Sequence, residues 1–148
     1  MSTNVKNFFT EKDEQKIKQA IMNAELDTSG EIRIHIDNTC PGDAKDQAAF
    51  IFDKLKMQNT KNRNGVLIYL AVKNRKFAII GDQGINNIVP ENFWNNIKNI
   101  MLNHFRNDQF VEGICSAVIT TGNQLKKHFP YQKDDVNELP DDISYGEN

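Results

Sequence analysis

Glycine, carboxylate, amide and guanidinium groups gather in three short stretches of this chain: Thr28-Ser29-Gly30-Glu31, Asn62-Arg63-Asn64-Gly65 and Gly81-Asp82-Gln83-Gly84. Glycines let backbone N–H groups approach an anion closely, and a guanidinium can fork onto phosphate or carboxylate oxygens. Oxygens such as those of Asp82, Glu31 and Asn64 are the ligands that Mg²⁺ or Ca²⁺ prefers. Brought together, the stretches would suit a metal-bound phosphate, with Arg63, Gly81 and Gly84 toward the phosphate and Asp82, Asn64 and Glu31 on the metal. The plain alternative is that these are ordinary turns, which Gly, Asn and Asp populate for conformational reasons. No catalytic nucleophile or general base stands out.

Other reactive residue types form no comparable pattern. His35, His104 and His128 fall on three different elements without metal-ligand spacing, so each reads as a surface or half-buried side chain. Cys40 and Cys115 make no CxxC pair and read as reduced thiols, Cys115 within a helical pattern as core. Neither a P-loop nor a GxSxG nucleophile elbow occurs.

The elements that must position the three stretches follow from hydrophobic periodicity. Thr10-Glu11-Lys12-Asp13 resembles a capping box, and Ile17, Ala20, Ile21 and Ala24 continue at helical spacing, predicting a helix over 11–25. Glu31 to Asp37 alternates isoleucine with ionisable residues, a strand with one wet face near a sheet edge. Ala44 to Met57 carries a second helical stripe. Gly65 to Val72 is continuously apolar, as a central strand would be, and Lys76 to Ile80 follows so soon that it must pair antiparallel. A third helix is expected over 91–105, with a Phe93, Trp94, Ile97, Ile100, Met101 stripe, and a fourth from Phe110 to before Pro130.

That order, αβαββαα, predicts a three-layer α/β/α sandwich with a small mixed, partly parallel sheet. Strands one and two run parallel and the third runs back. The start of one, the start of two and the end of three therefore meet at one end of the sheet, which is where the three polar stretches lie.

A length of 148 residues suits one domain, assigned here to 1–130. Residues 131–148 are acidic and lack apolar periodicity, so a disordered tail is expected. The net charge of −2, with signs interspersed, provides no basic stripe for nucleic acid. Met1 to Thr10 holds no apolar leader core and no later run is long enough to span a bilayer, which points to a soluble, cytoplasmic protein without direct membrane insertion.

In order along the chain, Thr28-Ser29-Gly30-Glu31-Ile32, Arg63-Asn64-Gly65-Val66-Leu67, Phe77 to Ile85 and Phe105 through Asp108-Gln109-Phe110 with Gly113 resemble the TPM-domain family. The resemblance spans about residues 11–130. It implies an α/β/α sandwich, divalent-cation binding, phosphatase or nucleotide-hydrolysing activity in some members, and support of membrane protein complexes in others. By position, Asn64-Gly65 matches the family's Asn-Gly before the central strand, Gly84-Ile85 its glycine loop, and Asp108 an acidic position between the last helices. Two departures stand out. Arg63 replaces an acid often found before Asn-Gly, and no acid occurs near Val89 and Pro90.

The expectation is a phosphohydrolase dependent on Ca²⁺ or Mg²⁺, acting on ATP, ADP or small phosphoesters. Asp82, Asn64, Glu31 and, by family position, Asp108 would hold the metal; Arg63, Gly81 and Gly84 would hold substrate. The rival is a non-enzymatic Ca²⁺-binding adaptor that supports a protein or membrane complex.

Overall fold

In the computed structural model, residues 8–131 and 143–146 are described. Helix α1 covers Glu11–Glu25 and starts at the expected capping box: Asp13 N–H donates to Thr10 Oγ1 at 3.1 Å, and Thr10 N–H to Asp13 Oδ2 at 3.2 Å. Helix α2, Ala44–Lys54, is capped by Asp43, whose Oδ1 accepts from Lys45 N at 2.8 Å and Asp46 N at 3.1 Å. It ends before Met57 because Lys56 turns into the left-handed region, φ 57°.

Strand β1 is Glu31–Asp37, β2 Gly65–Ala71 and β3 Lys76–Gly81. As expected, β1 and β2 pair parallel, from Glu31 opposite Gly65 to Asp37 opposite Ala71, and β2 and β3 pair antiparallel, from Val66 opposite Gly81 to Ala71 opposite Lys76. Every residue of β2 is buried, as its unbroken apolar run requires.

Three further helices follow: α3, Gln83–Asn86; α4, Phe93–Arg106; and α5, Phe110–His128. Alternation divides the sheet into two faces. Ile32, Ile34, Ile36, Val66, Ile68 and Leu70 share a large core with Ile17 and Ile21 of α1, Ile97 and Met101 of α4, and Ile114 and Val118 of α5. Leu67, Tyr69, Ala71 and Ala78 meet Ala48 and Ile51 of α2 on the other face. The result is the expected α/β/α sandwich.

Four expectations are corrected. The polar face of β1 is not wet: Glu31, His35 and Asp37 are all under 5% exposed. Nor is β1 at the edge, because residues Ser144–Tyr145 form β4 beside it, giving the sheet order β3-β2-β1-β4. The disordered tail expected over 131–148 is therefore overturned at 143–146; residues 132–142 and 147–148 lie outside the described residues. Composition averages over a segment, whereas β4 needs only edge hydrogen bonds and one anchor, with Gly146 N donating to Ile36 O at 2.8 Å and the Tyr145 hydroxyl donating to Glu14. Further along the same edge, Glu25 Oε2 accepts from Ile32 N at 2.8 Å. Lastly, the loop after β3 opens directly into α3.

Helices α1 and α5 approach closely at Gly122, where a Cβ would stand 2.6 Å from the Cβ of Ala24. Gly122→Val is expected to destabilise the chain by about 1–3 kcal/mol, read from the urea midpoint. Adding Ala24→Gly should recover part of that loss, and no recovery would show that the contact is not the cause.

Candidate functional site

The three polar stretches do converge. Glu31 N donates to Asn64 O at 3.3 Å, Asp82 N to Gly65 O at 2.9 Å and Gly84 N to Arg63 O at 3.0 Å, so backbone bonds knit all three loops at one end of the sheet. The amides of Asn64 and Asn62 donate to Ser29 Oγ at 3.3 and 3.5 Å. Glycine is required at position 84 for close approach, since a Cβ there would lie 2.2 Å from the carbonyl oxygen of Asn62.

Within this corner, Arg63 and Asp82 form a fork: Nε donates to Oδ2 at 2.7 Å and Nη2 to Oδ1 at 2.9 Å. The left-handed backbone of Arg63, φ 51°, turns its side chain toward β3. Asp82 also caps α3, its Oδ1 accepting from Gln83 N at 2.7 Å. The carboxylate is buried while the guanidinium is half exposed, and its hydrogen bonds to Asp82 raise the Arg63 pKa further. Beside the pair lies an open cavity of about 340 Å³, lined also by Asp53, Gln58, Phe52, Ile80 and Gly81. Gln58 Nε2 donates to Asp53 Oδ1 at 3.2 Å.

The expected metal ligands fit a cation unequally. Both oxygens of Asp82 are committed to Arg63 and the α3 N-terminus. Asp108 stands at the far end of the sheet, among Leu70, Val72, Arg75 and Phe77, and shares nothing with Asp82; the direction of α4 carries it away from the loops. Asn64 fits better: it is 1% exposed and its Oδ1 has no hydrogen-bond partner among the described residues. Glu31 is buried, in register with the residue after Asn64. No cluster of three or more His, Cys, Asp or Glu groups able to hold a metal occurs among the described residues.

A second polar cluster escapes sequence reasoning. His35 Nε2 lies 2.9 Å from Asp37 Oδ1, the Tyr69 hydroxyl donates to Asp37 Oδ2 at 2.7 Å, and His35 Nδ1 lies 2.8 Å from Ser144 Oγ. With His35 donating to the carboxylate, a neutral ring leaves Nδ1 to accept from Ser144. Gly146 packs its backbone onto Asp37, where a Cβ would fall 1.8 Å from Oδ1. Burial pushes the Asp37 pKa up, but the hydrogen bonds from His35 and Tyr69 outweigh it and hold the group below its ordinary 3.8. Burial, with the bond to Asp37, pushes the Tyr69 hydroxyl up. The available signal was the alternation His35, Asp37 on one face of β1, opposite the only tyrosine of β2. Cys40 is buried and the Cys115 thiol is pushed up by burial and then by Glu112, so neither is a poised nucleophile.

Two outcomes are expected. Because the folded Asp37 pKa lies below its ordinary value, the stabilisation is present above that value and lost as pH falls through the folded one. The urea midpoint should therefore drop below about pH 4 in wild type and less steeply in Asp37→Asn; parallel slopes would exclude Asp37 as the source. At the other end, Arg63→Ala should speed amide exchange at Gln83 and Gly84. Arg63→Lys should restore protection only in part, because an ammonium cannot fork; full protection in Arg63→Ala would show that the pair holds nothing in place.

The fold has counterparts. The NMR structure of the BA42 protein from the psychrophilic bacterium Bizionia argentinensis is similar, with a TM-score of 0.89 and 44% identity over 99% of this chain and 100% of that one. The N-terminal domain of a P. gingivalis protein aligns at a TM-score of 0.68 and 18% identity, covering 85% of this chain and 83% of that one. The N-terminal domain of the Corynebacterium glutamicum protein cg2496 aligns at 0.65 and 11%, covering 88% and 81%. At such identities the last two show the fold alone. No curated protein matches the sequence. No helix among the described residues is long and apolar enough to cross a membrane. A family model for the TPM domain matches residues 2–124, and the chain belongs to the TPM domain family.

Proposed function

We propose that this chain is a cation-binding adaptor domain that supports a protein complex without turning over a substrate, with Ca²⁺ or Mg²⁺ taken at the loops around Asn64. The observation that carries this reading is the buried Oδ1 of Asn64, without a hydrogen-bond partner among the described residues. Leaving such an acceptor unsatisfied costs about 1–3 kcal/mol, which a hard cation drawn to oxygen would offset. Asn64 and Glu31 are the residues that would hold it, and the bound charge would tie the Ser29 and Asn64 loops together. Against turnover speaks Asp82, the carboxylate on which metal-dependent hydrolysis would lean, since Arg63 and the start of α3 already occupy it. A cytoplasmic location, no direct membrane insertion and no nucleic-acid partner accompany this reading.

One observation favours a second reading, a phosphohydrolase acting on ATP, ADP or small phosphoesters. The cavity beside Arg63 has the volume of a small-ligand site. Arg63 spends two of its five N–H donors on Asp82, leaving others for phosphoryl oxygens, and Asp53, held by Gln58, would serve as the base. The name of the matching family, TPM phosphatase, speaks for the same reading.

The two readings separate in one set of measurements. With Ca²⁺ or Mg²⁺ added, amide resonances of residues 29–31 and 62–65 are expected to shift, and to shift far less in Asn64→Ala. Phosphate release from ATP and from an aryl phosphate should match the protein-free blank, with or without chelator. Release that Asp53→Asn abolishes would establish the hydrolase instead, and unmoved amides at millimolar cation would remove the cation from the adaptor.

A further inference from the structure

At the end of the sheet opposite Asn64, an apolar cup of about 130 Å³ opens between the β2–β3 hairpin and the α4–α5 turn, lined by Leu70, Val72, Phe77, Leu102, Phe105 and Phe110. Three of its walls are phenylalanines in ring contact: Phe77 and Phe105 meet edge to face, 5.3 Å apart at 86°, and Phe105 and Phe110 are tilted, 5.1 Å apart at 35°. Both flanking turns are fixed. Arg75 sits at φ 54° in the hairpin and Asp108 at φ 57° between the helices, where Asp108 N donates to Phe105 O at 3.1 Å and Gln109 N to His104 O at 2.9 Å. Gly113 allows the turn to fold back, since a Cβ there would meet the Phe105 ring at 2.9 Å.

Shape and charge narrow the occupant. A cup this size matches a single large apolar side chain, much as a dry cavity of roughly 150 Å³ accepts benzene. It is well below the size of a site that engulfs a whole small ligand, so most of the partner must remain outside. The lining also includes the guanidiniums of Arg75 and Arg106 against the one carboxylate of Asp108, which biases the cup toward anionic company. Leu102 is left 37% exposed in the lining. Aromatic side chains and arginine around a preformed pocket are the usual composition of an interface anchor.

We propose that this cup receives one leucine or phenylalanine side chain from an acidic segment of a partner protein, with Arg75 and Arg106 meeting the flanking carboxylates. This rests on the adaptor reading and gives it a surface, one that shares no residue with the Asn64 corner.

The test is an NMR titration of the full chain with a capped pentapeptide, Asp-Glu-Phe-Asp-Glu, beside the same peptide with lysine at the four acidic positions. Shifts are expected for amides of residues 70–77 and 102–110 with the acidic peptide and not with the basic one. Arg75→Glu with Arg106→Glu should weaken binding by about tenfold or more while the remaining resonances stay in place, which separates lost contact from lost fold. No shift at millimolar peptide, or equal shifts with the basic peptide, would overturn the proposal. So would hexanoate binding as tightly as the peptide, which would make the cup a small-acid site. If the peptide fails and no phosphate is released, the cup falls and the adaptor survives. Peptide binding in a chain that hydrolyses phosphoesters gives the reverse.

Discussion

Strand β2 is the constraint on which the other elements depend. Its seven residues are buried on both faces and paired on both edges, parallel to β1 and antiparallel to β3. A strand so placed can present no polar side chain to water, which accounts for the run Gly65-Val66-Leu67-Ile68-Tyr69-Leu70-Ala71 and for its one hydroxyl finding a buried partner in Asp37. The mixed pairing also decides where chemistry can lie. Chain directions bring the Ser29, Asn64 and Asp82 loops to one end and leave the β2–β3 hairpin and the α4–α5 turn at the other.

The two ends settle their charges differently. At the Asn64 end an exposed guanidinium neutralises a buried carboxylate that also caps a short helix, so one pair fixes two loops. Beside β4 the charge of Asp37 is met by a tyrosine hydroxyl and an imidazole. Both arrangements satisfy buried oxygens, since a buried group left alone costs more than a paired one returns. Asn64 Oδ1 has no such partner among the described residues, and it lies among residues the sequence already singles out.

Much of this was legible in the residues. Helix α1 and its capping box, the parallel pair, the hairpin and the meeting of three loops follow from periodicity, turn chemistry and connection length. What could not be read depended on contacts between distant segments. The ionisable alternation of β1 looks the same whether its face meets solvent or the backbone of Gly146, and only the placement of residues 143–146 distinguishes the two. Likewise Asp82 carries the right oxygens for a cation, but its availability depends on where Arg63 points, and that is set by a left-handed backbone angle at one residue. Asp108 shows the limit of positional transfer: its place in the order of motifs is right, while the length of α4 puts it at the other end of the molecule.

The short strand at the chain's C-terminal end also bears on how copies of this protein coexist. An open strand beside β1 would offer its backbone groups to any neighbouring chain, the usual route to edge-on stacking and aggregation. Here Glu25 occupies the N–H of Ile32, and Ser144 to Gly146 occupy the groups around Ile36. Three residues, Ser144 to Gly146, and one glutamate thus occupy backbone groups of β1 that a neighbouring chain would otherwise pair with.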